Sequence, residues 1–246
     1  LFRSKSVKVD EVNKTVVTIF VRCTDGKTYS WGYNGFGEAG VGSDDDFVTP
    51  TCIGDIIFTQ INSYTINYNN NEQMIKAIDE DGKEWNWGSN NYMNIVGQPV
   101  GIVTSPVCMT DLYEEIGFDP NRTNVITLTT GNKAYIDEDG KVWTWGKDGY
   151  ICGAGTNTEV TTPTCISTEH NGLNLKEGTI HYYDGFVYAI NSDGEAWVWG
   201  RNKTYPIRLK DTTALKDVKI MEIGFDTTNG KLAVLTDGGE IYNIDL

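Results

Sequence analysis

The chain has 246 residues, of which 39% are hydrophobic, and no run of 18 or more apolar residues. This composition allows a sizeable core and predicts no transmembrane helix. The 34 acidic and 20 basic residues give a net charge of −14. Such an acidic surface repels phosphate backbones, so we expect no nucleic-acid partner and favour basic proteins, neutral sugars or cations.

The glycine and cysteine content narrows the fold class and the kinds of site that we expect. The 27 glycines and 11% aromatic residues favour an all-β protein with many turns. Three of the five cysteines follow a proline, in TPTC at 49–52, SPVC at 105–108 and TPTC at 162–165. Equivalent positions of successive repeats lie too far apart for a disulfide, so we interpret these cysteines as small buried hydrophobes. With only two histidines and no CxxC pair, we expect no metal site.

An Asp-Gly pair recurs along the chain, each time between an apolar and an aromatic stretch. The pairs are Asp25-Gly26, Asp81-Gly82, Asp139-Gly140, Asp193-Gly194 and Asp237-Gly238. Asp-Gly between two strand-like runs is a strong hairpin signal, and a type I′ turn would need positive φ at both residues. We therefore predict five hairpins, each joining a strand b to a strand c.

Two further strands are predicted in most repeats. A strand a lies about twenty residues before each Asp-Gly, at 58–67, 111–119, 175–183 and 218–226, with a first copy at 7–12. A strand d with a proline follows the Gly-rich or Asn-rich loop after each Trp-Gly, as in VTPTCI and TYPIRL. Four antiparallel strands per repeat of about fifty residues predict a β-propeller blade.

The Trp-Gly pairs end the predicted c strands. We expect their tryptophans to anchor the core between blades, and these are Trp31, Trp87, Trp145 and Trp199. The structural glycines are those of the hairpins, namely Gly26, Gly82, Gly140, Gly194 and Gly238.

Several elements in fixed order resemble one known family. DGKTYSWGYNGFGEAGVGSDDDFVTPTCI at 25–53 and DGKVWTWGKDGYICGAGTNTEVTTPTCI at 139–166 are similar to the repeat of the regulator of chromosome condensation (RCC) family. The second repeat lacks the Gly-rich turn, and the fourth and fifth are shorter. The resemblance covers essentially the whole chain and implies a propeller of about five RCC-type blades. It is closer to bacterial surface or secreted relatives than to the nuclear exchange factor.

The sequence predicts a single propeller domain over residues 1–246. Its repeats are expected at about 7–57, 58–110, 111–170, 171–215 and 216–246. Family propellers usually close with seven blades, so five hairpins indicate either a nearly closed small ring or an arc of a larger one. The chain opens with Leu1 and shows no signal peptide, which favours a piece of a larger polypeptide or assembly.

Candidate binding residues cluster in the predicted c–d loops. Aromatic and amide side chains there suit sugar stacking or a protein interface, and GSDDDF at 42–47 suits a basic partner or a cation. The residues are Tyr33, Asn34, Phe36, Asp44, Asp45, Asp46, Tyr92 and Tyr150. IDEDGK at 78–83 and 136–141 resembles part of a calcium loop, but a hairpin turn explains its Asp-Gly without a metal.

The sequence therefore predicts a non-catalytic binding module without a cofactor, since no nucleophile set or phosphate cradle is visible. We expect an extracellular or cell-surface location and a protein or glycan partner reached through rim loops. Nucleotide exchange on a Ran-like GTPase inside the cell, which the family name implies, is one alternative. Inhibition of a secreted enzyme and glycan cleavage by paired rim carboxylates are two others.

Overall fold

The computed structural model describes residues 9–14, 18–118, 125–167, 172–176, 178–211, 215–216, 218–226 and 228–245. Within them the chain forms five antiparallel sheets, each with strands in sequence order from one edge to the other. Two compact units contain these sheets, residues 1–120 and 121–246. The predicted all-β class with about five propeller blades is confirmed.

Unit 1 holds the first two sheets and one helix. The first sheet contains β1 (Val9–Lys14), β2 (Thr18–Cys23), β3 (Thr28–Gly32) and β4 (Phe47–Cys52). The second contains β5 (Phe58–Asn67), β6 (Glu72–Asp79), β7 (Glu84–Ser89) and β8 (Ile102–Cys108), followed by helix α1 (Met109–Ile116). Between the two sheets, Phe20 and Ile53 of the first pack with Phe58, Ile75 and Trp87 of the second.

Unit 2 holds the other three sheets. The third contains β9 (Ile126–Thr129), β10 (Asn132–Ile136), β11 (Val142–Gly146) and β12 (Val160–Cys165), with the short helix α2 (Gly149–Cys152) in its c–d loop. The fourth contains β13 (Thr179–Tyr183), β14 (Phe186–Ile190), β15 (Ala196–Gly200) and β16 (Lys203–Arg208), and a 3-10 turn follows at Leu209–Asp211. The fifth contains three described strands, β17 (Ile220–Asp226), β18 (Lys231–Thr236) and β19 (Ile241–Ile244).

The sheets of unit 2 also stack through alternating apolar side chains. Val142 and Ala134 of the third sheet share a cluster with Val187 and Trp199 of the fourth. The opposite face of the fourth sheet, which includes Val198, packs against the fifth. A strand that is covered on both faces has apolar residues at successive positions. In β15 (AWVWG) all five residues are buried, because sheets pack on both of its faces.

The hairpin loops differ from the predicted type I′ turn. In the first hairpin the N–H of Gly26 donates to the carbonyl of Cys23, and the N–H of Cys23 donates to the carbonyl of Lys27. Only Gly26 has positive φ, +83°. This is the three-residue loop in which a type I turn is followed by a left-handed glycine. Asp25 therefore lies in the right-handed part of the turn.

In the fifth hairpin the left-handed position moves by one residue. Gly239 has φ +80° and its N–H donates to Thr236, whereas Gly238 has no positive φ and takes the place that aspartate holds elsewhere. Gly239, and not the predicted Gly238, is the counterpart of Gly26.

One predicted strand is a helix. Residues 111–119 were expected to form strand a of the third repeat, but α1 occupies Met109–Ile116 and strand a is β9 instead. Apolar side chains recur at Met109, Leu112 and Ile116, which is helical spacing. Gly117 ends the helix with φ +68°, its N–H donating to Glu114.

Among the described residues, no helix is long and apolar enough to cross a bilayer. The single-domain boundaries and the form of the ring stay predictions.

Candidate interaction surface

The loops between strands c and d are the most elaborate parts of the blades. We call them c–d loops 1, 2 and 3, at residues 33–46, 90–101 and 147–159. Loops 1 and 2 belong to unit 1 and loop 3 belongs to unit 2. Six of the eight predicted binding residues lie in loop 1.

A single buried asparagine organises loop 1. The Nδ2 of Asn34 donates to the backbone carbonyls of Ser43 (2.7 Å) and Asp45 (2.9 Å). Its Oδ1 accepts from the N–H of Ala39 at 2.7 Å. Asn34 is fully buried, so the amide satisfies backbone groups that would otherwise lack partners. Asn34 thus shapes the loop and is not available to a ligand.

The residues at the equivalent positions of the other two loops also bond to the loop backbone. In loop 2 the Nδ2 of Asn90 donates to the carbonyls of Ile95, Gln98 and Pro99, and its Oδ1 accepts from the N–H of Ile95. In loop 3 the carboxylate of Asp148 accepts from the N–H groups of Tyr150 and Ile151 in α2. In each of the three loops, a side chain three residues after the tryptophan therefore bonds to backbone groups of the loop that follows it.

Loop 1 also forms a slot for the tryptophan of the next blade. The Nε1 of Trp87 donates to the carbonyl of Glu38 at 2.7 Å, and Trp87 is fully buried. A Cβ at Gly40 would lie 2.8 Å from that nitrogen. Only glycine allows this close approach, which explains the Gly-rich turn.

The same slot recurs in unit 2. The Nε1 of Trp199 donates to the carbonyl of Ile151 at 2.9 Å, and a Cβ at Gly153 would lie 2.7 Å from the indole ring. Trp145 is also buried, whereas Trp31 is only half-buried.

The slots extend to the d strands. The N–H of Gly42 donates to the carbonyl of Thr104 in β8, and the N–H of Gly155 donates to the carbonyl of Thr204 in β16. Each loop thus pairs with a backbone group of an edge strand in the neighbouring blade, which protects that edge.

The acidic end of loop 1 faces solvent. Asp44, Asp45 and Asp46 are exposed. Asp46 accepts from the N–H of Asn34 at 2.7 Å, and Asp45 accepts from the hydroxyl of Ser43 at 3.0 Å. The backbone under these carboxylates is fixed by Asn34, so the negative charges are presented on a rigid support.

Glu38 is a second kind of carboxylate, fully buried within loop 1. Its Oε2 accepts from the N–H of Phe36 at 2.9 Å, whereas its Oε1 has no hydrogen-bond partner among the described residues. Burial raises the pKa of this carboxyl, and the nearby negative charge of Asp46 adds to the rise.

The predicted aromatic residues do not form an exposed platform. Tyr33, Phe36, Tyr92 and Tyr150 are each half-buried. The rings of Tyr33 and Phe36 pack edge to face within loop 1, with centroids 6.3 Å apart. Much of each ring therefore covers its own loop.

The most exposed aromatic side chains lie elsewhere. Tyr68 is 87% exposed at the turn between β5 and β6, and Tyr64 of β5 is 48% exposed. Neither tyrosine is among the predicted binding residues, although the asparagine-rich turn that follows an uncharged strand could have indicated them. In unit 2 the exposed Tyr183 packs against Phe225 at 5.1 Å.

The aspartates of the IDEDGK segments lock the hairpins. Oδ1 of Asp79 accepts from the N–H groups of Asp81 and Lys83, and Oδ2 accepts from Nε1 of Trp85 at 2.8 Å. Asp137 does the same for the third hairpin, with Trp143 as the indole donor. In the described part of the chain, no three His, Cys, Asp or Glu residues are grouped to hold a metal ion.

Two open clefts of about 420 and 310 Å³ lie in unit 2, beside the fourth hairpin and the start of β17. Lysines and carboxylates line the larger one, and Glu195 there accepts from both Arg208 and Lys210. Hydrogen bonds from Lys210 and Arg208 lower the pKa of Glu195. Because its carboxylate is ion-paired, it is poorly suited to act as a general acid.

Within unit 1 the first sheet receives Trp87 of the second, and within unit 2 the third sheet receives Trp199 of the fourth. Hairpin-linked antiparallel sheets packed in this way are those of an RCC-type β-propeller. Comparisons of the sequence with known proteins support this class. The chain is 22% identical over 242 residues to the E3 ubiquitin-protein ligase HERC2 of Mus musculus, covering 92% of this chain and 5% of that protein. It is 26% identical over 162 residues to Protein pim1 of Schizosaccharomyces pombe, covering 58% of this chain and 28% of that protein. No family model matches the chain.

Among solved structures, the chain is similar to Prp20p from Saccharomyces cerevisiae, with 16% identity and a TM-score of 0.39. The similarity covers 88% of this chain and 66% of Prp20p. The chain spans only a small part of the curated relatives HERC2 and Protein pim1, 5% and 28% of their length.

Proposed function

We propose that this chain is a non-catalytic protein-interaction module that binds a basic partner through c–d loop 1. One observation carries the proposal: exposed Asp44 and Asp45 lie on a loop whose backbone is fixed by the buried Asn34. Charges on a fixed support need little ordering on binding, so more of their interaction energy appears as affinity.

The overall charge supports the same choice of partner. A net charge of −14 attracts a basic protein from a distance, and the loop carboxylates then fix its position. Prp20p of Saccharomyces cerevisiae binds Gsp1p and histones. Histones are basic, so they are a suitable first probe for this chain.

A finer form of the proposal is display on a bacterial surface, with a protein or a glycan bound at the rim loops. It rests on the degenerate repeats and on the high Asn, Lys and Ile content of the sequence. Location in fractionated cells, determined with an antibody against this chain, tests it. Detection only in the cytosolic fraction would contradict it.

Binding of core histones by the purified chain tests the main proposal. Asp44→Asn together with Asp45→Asn should weaken binding and reduce its dependence on salt. The control, Glu80→Gln with Asp81→Asn, removes two exposed charges from the second hairpin. Equal loss in both double variants would mean that net charge alone attracts the probe, and no loss in the loop variant would reject loop 1 as the site.

Two alternative functions can be tested with the same purified protein. Faster nucleotide release from a Ran-like GTPase would favour exchange activity, and inhibition within a panel of secreted hydrolases would favour an inhibitor. Either result without histone binding would replace the proposed function.

A further inference from the structure

Strand β5 differs from every other described strand at the edge of a sheet. Proteins protect sheet edges with proline, with charge or by keeping the strand short. Strands β4, β8, β12 and β16 contain proline, β1 and β17 contain charged residues, and β9, β13 and β19 have at most five residues. Strand β5, FTQINSYTIN, has ten residues, no proline and no charge.

The middle of β5 is a regular ladder. It pairs with β6 without a register shift from Gln60, opposite Ile78, to Thr65, opposite Gln73. Irregularities occur only on either side of this stretch. Alternate residues of an edge strand direct N–H and C=O groups away from their partner strand, and regular pairing leaves those groups evenly spaced.

Side chains along this stretch face solvent. Gln60, Asn62, Ser63 and Tyr64 are exposed, as is Thr59 before them. In the part of the chain that the structure describes, no other strand pairs with the outer edge of β5.

Both ends of β5 are anchored. Phe58 is buried against Trp87 at one end. At the other end, Glu72 of β6 is buried and accepts hydrogen bonds from Ser89 and from Nδ2 of Asn91, the latter at 2.5 Å. A hairpin held in this way is preorganised, so adding a strand to it costs little ordering.

We propose that the outer edge of β5, residues 60–65, binds an extended, uncharged segment of a partner protein as an added β-strand, with Tyr64 and Tyr68 beside it. Main-chain hydrogen bonds would supply affinity, and the side chains that line the strand would supply selectivity. The proposal rests on the proposed interaction function and adds a second contact to it.

Charge decides the kind of occupant. A second copy of the chain would bring another net charge of −14 to the interface, which opposes association. Because β5 has no charged side chain, it offers a charged segment no ion pair. An uncharged segment from another protein meets neither problem.

Selection from a displayed library of random peptides as long as β5 tests the proposal. We expect enriched peptides to be uncharged and rich in β-forming residues, and Ser63→Lys to lower their affinity by about tenfold or more. The matched control is Thr49→Lys, which puts the same charge at an exposed position of the proline-protected β4. Amide hydrogen exchange should slow at alternate residues of β5 in the complex.

The other outcomes overturn the proposal in different ways. If no peptide distinguishes the wild type from Ser63→Lys, the edge is not a binding site. A doubled mass with β5 amides protected in the absence of peptide would assign the edge to a second copy. If Asp44→Asn with Asp45→Asn abolishes peptide binding while Ser63→Lys does not, loop 1 is the only site. Because Ser63→Lys should leave histone binding unchanged, failure of this proposal is separable from failure of the proposed function.

Discussion

Trp87 and Glu38 are joined by a hydrogen bond across 49 residues of sequence, from the indole Nε1 to the main-chain carbonyl at 2.7 Å. The bond connects strand c of the second blade to the loop of the first. The indole nitrogen leaves no room for a side chain at Gly40.

Replacing Gly40 with alanine should therefore be costly. The new Cβ would lie 2.8 Å from Nε1 of Trp87, at a backbone φ of +72°. Gly82→Ala is the matched control, because Gly82 has φ +81° but nothing within 4 Å of its Cβ position. We expect backbone strain to lower the free energy of unfolding by about 1 kcal/mol in Gly82→Ala. In Gly40→Ala the contact with Trp87 should lower it by about 1–3 kcal/mol more. Urea unfolding followed by tryptophan fluorescence measures the stability of both variants. Equal losses of stability would contradict the close approach of Trp87 to Gly40.

Buried Glu38 should make stability depend on pH. Its folded-state pKa is raised above the usual 4.5, so the folded state favours the protonated carboxyl. Stability should then fall as the pH rises from 4.5 through the folded pKa, since the folded state holds more protons than the unfolded state in that window. Glu38→Gln should be more stable than wild type at neutral pH, and the difference should shrink on acidification. A difference independent of pH would show that Glu38 does not titrate in this way.

The fifth hairpin offers a test with neighbouring glycines. Gly239→Ala forces a side chain into φ +80° and should cost about 1 kcal/mol. Gly238→Ala, one residue earlier in the same turn, lies outside the left-handed region and should cost almost nothing. Thermal unfolding of the two variants gives the comparison. A larger loss of stability for Gly238→Ala would instead support the type I′ turn that the Asp-Gly pattern predicts.

Asn34→Ala should release loop 1. It removes an acceptor for Ala39 and a donor to Ser43 and Asp45, so a loss of about 1–3 kcal/mol is expected. Amide exchange should rise between residues 39 and 46. Asn69→Ala, at an exposed turn, is the control and should change neither quantity. If histone affinity is unchanged in a loosened loop, the rigid support is not part of the interaction.

Local patterns accounted for most of the strands, because Asp-Gly, alternating aromatics and proline each act within a few residues. Helix α1 was missed since its eight residues are too few to show a helical period clearly, and Ile116 followed by Gly-Phe also reads as a strand end. The role of Asn34 was hidden for another reason: its partners at Ser43 and Asp45 depend on how the loop folds back. Asn and Tyr are common in binding loops, so the composition indicated Tyr33 and Asn34, but only the folded loop shows that Tyr33 is half-buried and Asn34 fully buried.

The loop glycine and the tryptophan that it receives belong to successive repeats, as Gly40 with Trp87 and Gly153 with Trp199 show. A segment cut at its Asp-Gly boundaries would carry Trp87 without Gly40, or Trp199 without Gly153, so the copied tryptophan would have to fit the loop of whichever repeat comes before it. Insertions or deletions of blades should persist only where their endpoints keep a glycine loop next to an indole, and a repeat that loses its tryptophan frees the preceding loop to vary.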